Sequence, residues 1–201
     1  MPQQKNTSTR ERLLAAALEL MEGPDGVDGL TMRAVAAAAG VTTMATYKHF
    51  RSRDALLRAA TAAEYPRIEG YFARANARTE VPGMRGMLGY LNYALDHPQI
   101  FRYIFSSHRA DAFVFPHDLK EGRSPTFNVL LGNVSELMER QVLRSDDVAE
   151  TALSIWAHAH GLITLYLSGR ITAPRGTFQK LYMRSLDRLA RGLAKRATDN
   201  C

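Results

Sequence analysis

The 201-residue chain has a single cysteine, Cys201, so no disulfide can form within it and no zinc site can rest on several cysteines. It has no run of about 20 mostly apolar residues of the kind that spans a bilayer. The best candidate, Thr151 to Gly169, lacks Lys, Arg, Asp and Glu but carries Thr151, Ser154, His158, His160, Thr164 and Ser168. It reads as a buried helix of a soluble protein, with no membrane partner. The N-terminus lacks an apolar core followed by a small-residue cleavage site, so no secretory signal is expected and the expected location is a reducing cytoplasm. No segment alternates apolar and polar residues as a half-buried strand would. Enzyme signatures are missing too. Gly83, Gly86 and Gly89 are not followed by Lys-Ser/Thr, and no G-x-S-x-G occurs. His158 and His160, two residues apart on a helix, point about 200° apart and cannot chelate one ion together. His117-Asp118 has no second pair to complete a metal site. No catalytic residue, metal or cofactor is therefore expected.

What is present is helical periodicity almost throughout. Hydrophobic residues make up 46% and charged residues 23%, an ordinary globular balance. Lys plus Arg number 26 against 20 Asp plus Glu, a net charge of +6 that favours an acidic partner such as nucleic acid. Leu13, Leu14, Ala17, Leu18 and Met21 lie on one face of a first helix, with Ser8 and Glu11 as its capping box. Gly23-Pro24-Asp25-Gly26 ends it. Thr31 caps a short alanine-rich helix to Ala39, Thr42 a third helix and Ser52 a fourth, which Pro66 should bend or interrupt. A fifth helix is expected over 82–96, and Pro98 starts a sixth. The stretch 106–123 reads as a loop. Helices follow from Ser124-Pro125 to about Leu143, from Ser145-Asp146-Asp147 to Gly169, and from Pro174 to Ala197. The expected fold is all-α, with about nine helices.

The informative stretch is TMRAVAAAAGVTTMATYKHF, Thr31 to Phe50. Gly40 suits a tight turn because it accepts positive φ without a Cβ clash. Ala34, Ala37 and Ala38 let two helices approach closely, and Val35, Val41 and Phe50 read as core. This is the layout of a helix-turn-helix, whose second helix lies in the DNA major groove. A helix over 42–49 is about 12 Å long, matching a groove about 12 Å wide. Thr42, Thr43, Thr46, Tyr47, Lys48 and His49 offer hydroxyls, an ammonium and an imidazole. Tyr47, Lys48, His49 and Arg53 are the phosphate candidates, and Thr43, Met44 and Thr46 the base-edge candidates. From Leu30 to Arg53 there are Arg33, Lys48, Arg51 and Arg53 and no acid.

The pattern T-x-R-x-V-A-x-x-A-G-V-T-x-x-x-x-Y-x-H-F followed by S-x-D-x-L-L resembles the tetracycline-repressor (TetR) family of transcriptional regulators. The match covers about Arg10 to Leu57. Thr31, Arg33, Val35, Ala36, Ala39, Gly40, Val41, Thr42, Tyr47, His49 and Phe50 carry it, and Met44, Ala45 and Thr46 depart from the usual residues. The segment from Ser154 to Ile171 is similar to a Trp-His-Gly stretch in the C-terminal domain of one branch of the family, through Trp156, His160 and Gly161. The resemblance implies a DNA-binding domain over 1–51 and a ligand-binding and dimerisation domain over 52–201. It further implies a homodimer on a palindromic operator, released by a small-molecule effector. Tyr90, Tyr93, Phe101, Tyr103, Phe105, Phe127, Trp156 and His160 are the candidate ligand contacts, although most aromatics in such a domain are core. The helices over 145–169 and 174–197 are the expected contact with a second copy. The alternative is a helical small-molecule-binding protein or enzyme whose N-terminal motif is only structural.

Overall fold

A computed structural model describes residues 8–76 and 85–195. Its described residues form α1 (Thr9–Glu22), a 3-10 turn (Gly26–Gly29), α2 (Met32–Ala38), α3 (Thr43–His49), α4 (Arg53–Asn76), α5 (Arg85–Asp96), α6 (Pro98–Phe105), α7 (His117–Lys120), α8 (Pro125–Glu139), α9 (Val148–Leu167) and α10 (Arg175–Leu193). The fold is all-α, with the helix-turn-helix at the N-terminal end. Gly83 and the start expected for the fifth helix lie outside the described residues, as does Cys201.

The helix starts follow from short polar side chains that satisfy orphan backbone donors. Ser8 Oγ accepts from the Glu11 amide, and the Ser8 amide donates to the Glu11 carboxylate at 2.8 Å. Thr31, Thr42, Ser52, Ser124 and Asp147 accept in the same way from Ala34, Ala45, Ala55, Phe127 and Glu150. Of the two outcomes expected at Pro66, interruption does not occur, and a second expectation differs from the structure. α4 continues through Pro66, which costs one hydrogen bond to the carbonyl of Ala62 but does not end the helix. The stretch read as a loop contains α7, a single turn anchored by buried Leu119, with Asp118 accepting from the Val114 amide and pairing with Arg123. One turn carries no periodicity to read.

The chain divides into two compact units, Met1–Arg67 with His97–Ala112, and Ile68–Asp96 with Phe113–Cys201. In the first, α1, α2, α3, α6 and the beginning of α4 close over Leu13, Ala17, Met21, Leu30, Val35, Phe50, Leu56, Ile100 and Phe101. In the second, α5, α8, α9, α10 and the end of α4 bury Phe72, Leu91, Tyr93, Phe127, Val134, Ala152, Ile163, Phe178 and Tyr182. Gly89 allows α5 to approach α4: a Cβ there would meet the Tyr71 carbonyl oxygen at 2.8 Å and the Phe72 Cα at 2.9 Å. Tyr182 donates to the Met87 carbonyl at 3.0 Å, and Gln179 donates to Asn92 at 2.8 Å, tying α10 to α5.

Candidate functional site

The α2–α3 turn is built from backbone bonds. The Val41 amide donates to the Ala36 carbonyl at 2.9 Å, and Gly40 to Ala37 at 3.1 Å, the two bonds that close a helix through a left-handed residue. Gly40 supplies that residue with φ +64°. Arg12, on α1, donates to the carbonyls of Ala39 and Gly40 at the negative end of α2. Sequence spacing did not reveal this brace, because nothing local links Arg12 to a turn 27 residues later.

α3 is thereby held with one face outward. Met44 is 70% exposed and Tyr47 47%, and Lys48 and His49 are exposed as well. Thr43, Met44, Tyr47 and Lys48 are related by three or four residues and so share a face. Thr43 is half-buried, and Thr31, Arg33 and Thr42 are exposed, with the Thr31 and Thr42 hydroxyls engaged as caps. Among the described residues Arg33 and Lys48 have no ion pair.

One sequence expectation fails here, and a second meets a competing commitment. Thr46 is fully buried, its hydroxyl turned back toward the Thr42 carbonyl at 3.5 Å, so it cannot touch a base edge. It lies on the face of α3 that packs inward with Phe50. Arg53 is not a free arm: Nε donates to the Leu30 carbonyl at 2.7 Å and Nη2 to Val27.

The eight aromatic candidates fall into two groups. Tyr90, Phe127, Trp156 and His160 meet in the second unit. Trp156 Nε1 donates to Tyr90 Oη at 3.0 Å, and Tyr90 Oη lies 2.9 Å from His160 Nδ1. Phe127 packs edge-on to Trp156 at 6.0 Å. The indole is a donor only, so it occupies a lone pair of the hydroxyl, whose own hydrogen is then available to Nδ1. Burial raises the Tyr90 hydroxyl pKa and lowers that of His160, keeping both groups neutral. His158 faces the other way and bonds Ser185 of α10 at 3.0 Å.

The other four have surroundings of their own. Tyr93 is fully buried edge-on to Tyr71 at 5.5 Å. Phe101, Tyr103 and Phe105 belong to the first unit, because the chain returns there at His97. Phe101 is core beside Phe105 at 5.2 Å, and Tyr103 lies under the Arg109 guanidinium at 4.9 Å. Among the described residues no group of three or more His, Cys, Asp or Glu could hold a metal ion. No helix there is long and apolar enough to cross a membrane.

Comparison with known proteins places these features in a wider set. Residues 13–60 match the family described as "Bacterial regulatory proteins, tetR family", and residues 85–189, over half of the chain, match "Tetracyclin repressor-like, C-terminal domain". A solved protein of unknown function from Rhodococcus sp. RHA1 is 29% identical, with a TM-score of 0.76 over 97% of this chain and 100% of that one. A TetR-family transcriptional regulator from Pectobacterium atrosepticum is similar in fold at 18% identity, with a TM-score of 0.68 over 98% of this chain and 99% of that one. RolR in complex with resorcinol is similar in fold at 14% identity, with a TM-score of 0.64 over 98% of this chain and 93% of that one. No curated protein matches the sequence significantly.

Proposed function

This chain belongs to the tetracycline-repressor (TetR) family of transcriptional regulators, and we propose that it is a repressor that binds a palindromic operator as a homodimer and is released by a small-molecule effector. Residues 1–51 act as the DNA-binding domain and residues 52–201 as the ligand-binding and dimerisation domain. The observation that carries the reading is the outward face of α3, where exposed Met44, Tyr47, Lys48 and His49 ride on a helix fixed by a cap, a glycine turn and Arg12. In this reading Tyr47, Lys48 and His49 hold phosphates, with Thr31, Arg33 and Thr42 at the flanks. Thr43 and Met44 meet base edges, the thymine methyl being a natural partner for an apolar side chain.

The second copy docks on α9 and α10. Along α9, Ala157 and Leu165 are exposed, Leu165 by 45%, and a Cβ on Gly161 would meet nothing within 4 Å. An apolar helix with an uncovered side supports a partner there. The effector sits against Tyr90, Phe127, Trp156 and His160, an aromatic lining with hydrogen-bonding tips. RolR, similar in fold, binds resorcinol, a ligand of comparable character. Release is a population shift, so the effector must bind the non-DNA-binding conformer more tightly. α4, continuous from Arg53 to Asn76, is the lever.

Selection of duplexes from a random pool by the full chain tests this directly. The expected product is a two-fold symmetric site with half-sites about 34 Å or a multiple apart. Recovery of no enriched sequence would favour a helical protein whose N-terminal motif is only structural.

A further inference from the structure

Three arginines flank the helix-turn-helix, and their side chains are differently committed. Arg12 reaches from α1 to the Ala39 and Gly40 carbonyls at the C-terminal end of α2. Arg53, the first residue of α4, spreads its fork over the Leu30 and Val27 carbonyls, in the segment that leads into α2. Arg51 follows α3 by two residues, is exposed, and has no hydrogen bond or ion pair among the described residues. Exposed Lys48 and His49 precede it by three and two residues.

A guanidinium has five donors in a rigid fork and does its best work where two acceptors are fixed. Arg53 already has two such acceptors. Turning outward to a phosphate would leave the carbonyls of Val27 and of buried Leu30 without that partner. Arg51 is exposed and gives up no hydrogen bond or ion pair among the described residues to make the same contact. Arg12 braces the C-terminal end of α2, and Arg53 braces the segment that leads into it; α3 is packed against α2. Losing either brace loosens the pose of α3 without removing a charge from the DNA-facing surface.

We propose that Arg51 is the phosphate-contacting arginine at the α3–α4 junction, and that Arg53, with Arg12, is a positioning residue that fixes α2 and through it the recognition helix. The assignment rests on the DNA-binding reading above. It divides two effects that a phosphate-binding Arg53 would combine, electrostatic affinity and sequence discrimination.

The test uses the full chain, a duplex selected from a random pool and an unrelated duplex, with Kd measured by fluorescence anisotropy across a salt series. Counterion release makes log K fall with log salt by about 0.9 for each phosphate neutralised. R51A is expected to reduce the slope by about 0.9 per subunit, to weaken both duplexes by a similar factor, and to leave Tm unchanged. R53A is expected to keep the wild-type slope, to lower Tm by several degrees, and to shrink the ratio of selected to unrelated affinity. The opposite pattern, a slope lost in R53A and kept in R51A, overturns the assignment. Should R53A fail to fold, R53K decides. An ammonium retains the charge but not the two-carbonyl fork, so a reduced affinity ratio supports the assignment and wild-type ratio and Tm overturn it. If the unmodified chain bound no duplex, the DNA-binding reading would fall and this assignment with it. With that binding intact, the arginine variants judge the assignment alone.

Discussion

Tyr47 and Met44 stand next to each other on the outward face of α3 yet should behave differently when removed. Phosphate contacts carry no base information, so Tyr47→Ala is expected to weaken binding to all duplexes by a similar factor. A Met44→Ala variant is expected to keep affinity for unrelated DNA and to relax preference at one position of each half-site. Anisotropy on a panel of single-base operator variants checks both. His160 makes a pH-dependent contribution of definite sign. Burial holds its imidazole pKa below the ordinary 6.5, so between that value and the folded one the unfolded chain binds more protons. Stability therefore falls as the pH drops below about 6.5 and stops falling below the folded pKa. Thermal melts of wild type and His160→Gln from pH 5 to 8 should diverge in slope only in the acidic part. A difference confined to alkaline pH would contradict the buried neutral imidazole. At this scale the sequence was readable wherever a side chain serves its own neighbourhood, as Ser8, Thr31 and Thr42 do in capping. It was not readable where a long side chain serves a distant backbone. Arg53 looked like a phosphate arm because only its charge and its place before α4 were visible, while its acceptors lie 23 and 26 residues upstream.

Among the elements, α3 is short enough that burial of one residue decides what the others can do. Thr46 had the right chemistry for a base edge, but seven residues give less than two turns, and Thr46 falls on the inward side with Phe50. Spacing alone locates a face only when the apolar pattern is long, as in α1. The glycine of the preceding turn is a sharper case. Gly40→Ala would force a Cβ into left-handed backbone at a cost of about 1–2 kcal/mol, and that Cβ would lie 3.3 Å from the Arg12 guanidinium. Both Tm and operator affinity should drop. In α5, Gly89→Ala drives a Cβ into the backbone of α4 and is expected to cost about 1–3 kcal/mol. Gly86→Ala, where the nearest atom is the Asn133 amide nitrogen at 3.5 Å, should be tolerated. Denaturant melts of the two variants separate the contact that needs glycine from the one that does not. Equal spacing in the sequence hid that difference.

For the molecule as a whole, the helical class, the order of helices and the N-terminal motif were legible because caps, glycines and periodicity are local signals. The grouping of the aromatic residues was not. Phe101, Tyr103 and Phe105 are near Tyr90 and Tyr93 along the chain, but the chain passes back into the first unit between them. Only tertiary structure reports that return. The function proposed at this scale needs two copies, since one seven-residue helix offers too few contacts for a long operator, and light scattering of the full chain should give a dimer mass. The most direct test of the account is chemical interference on the selected operator. Methylation of guanine N7 marks the major groove, and methylation of adenine N3 marks the minor groove. N7 methylation is expected to block binding in two clusters related by symmetry, about 34 Å or a multiple apart. Interference restricted to adenine N3, or a single unpaired cluster, would contradict the insertion of α3 from each subunit into successive major grooves.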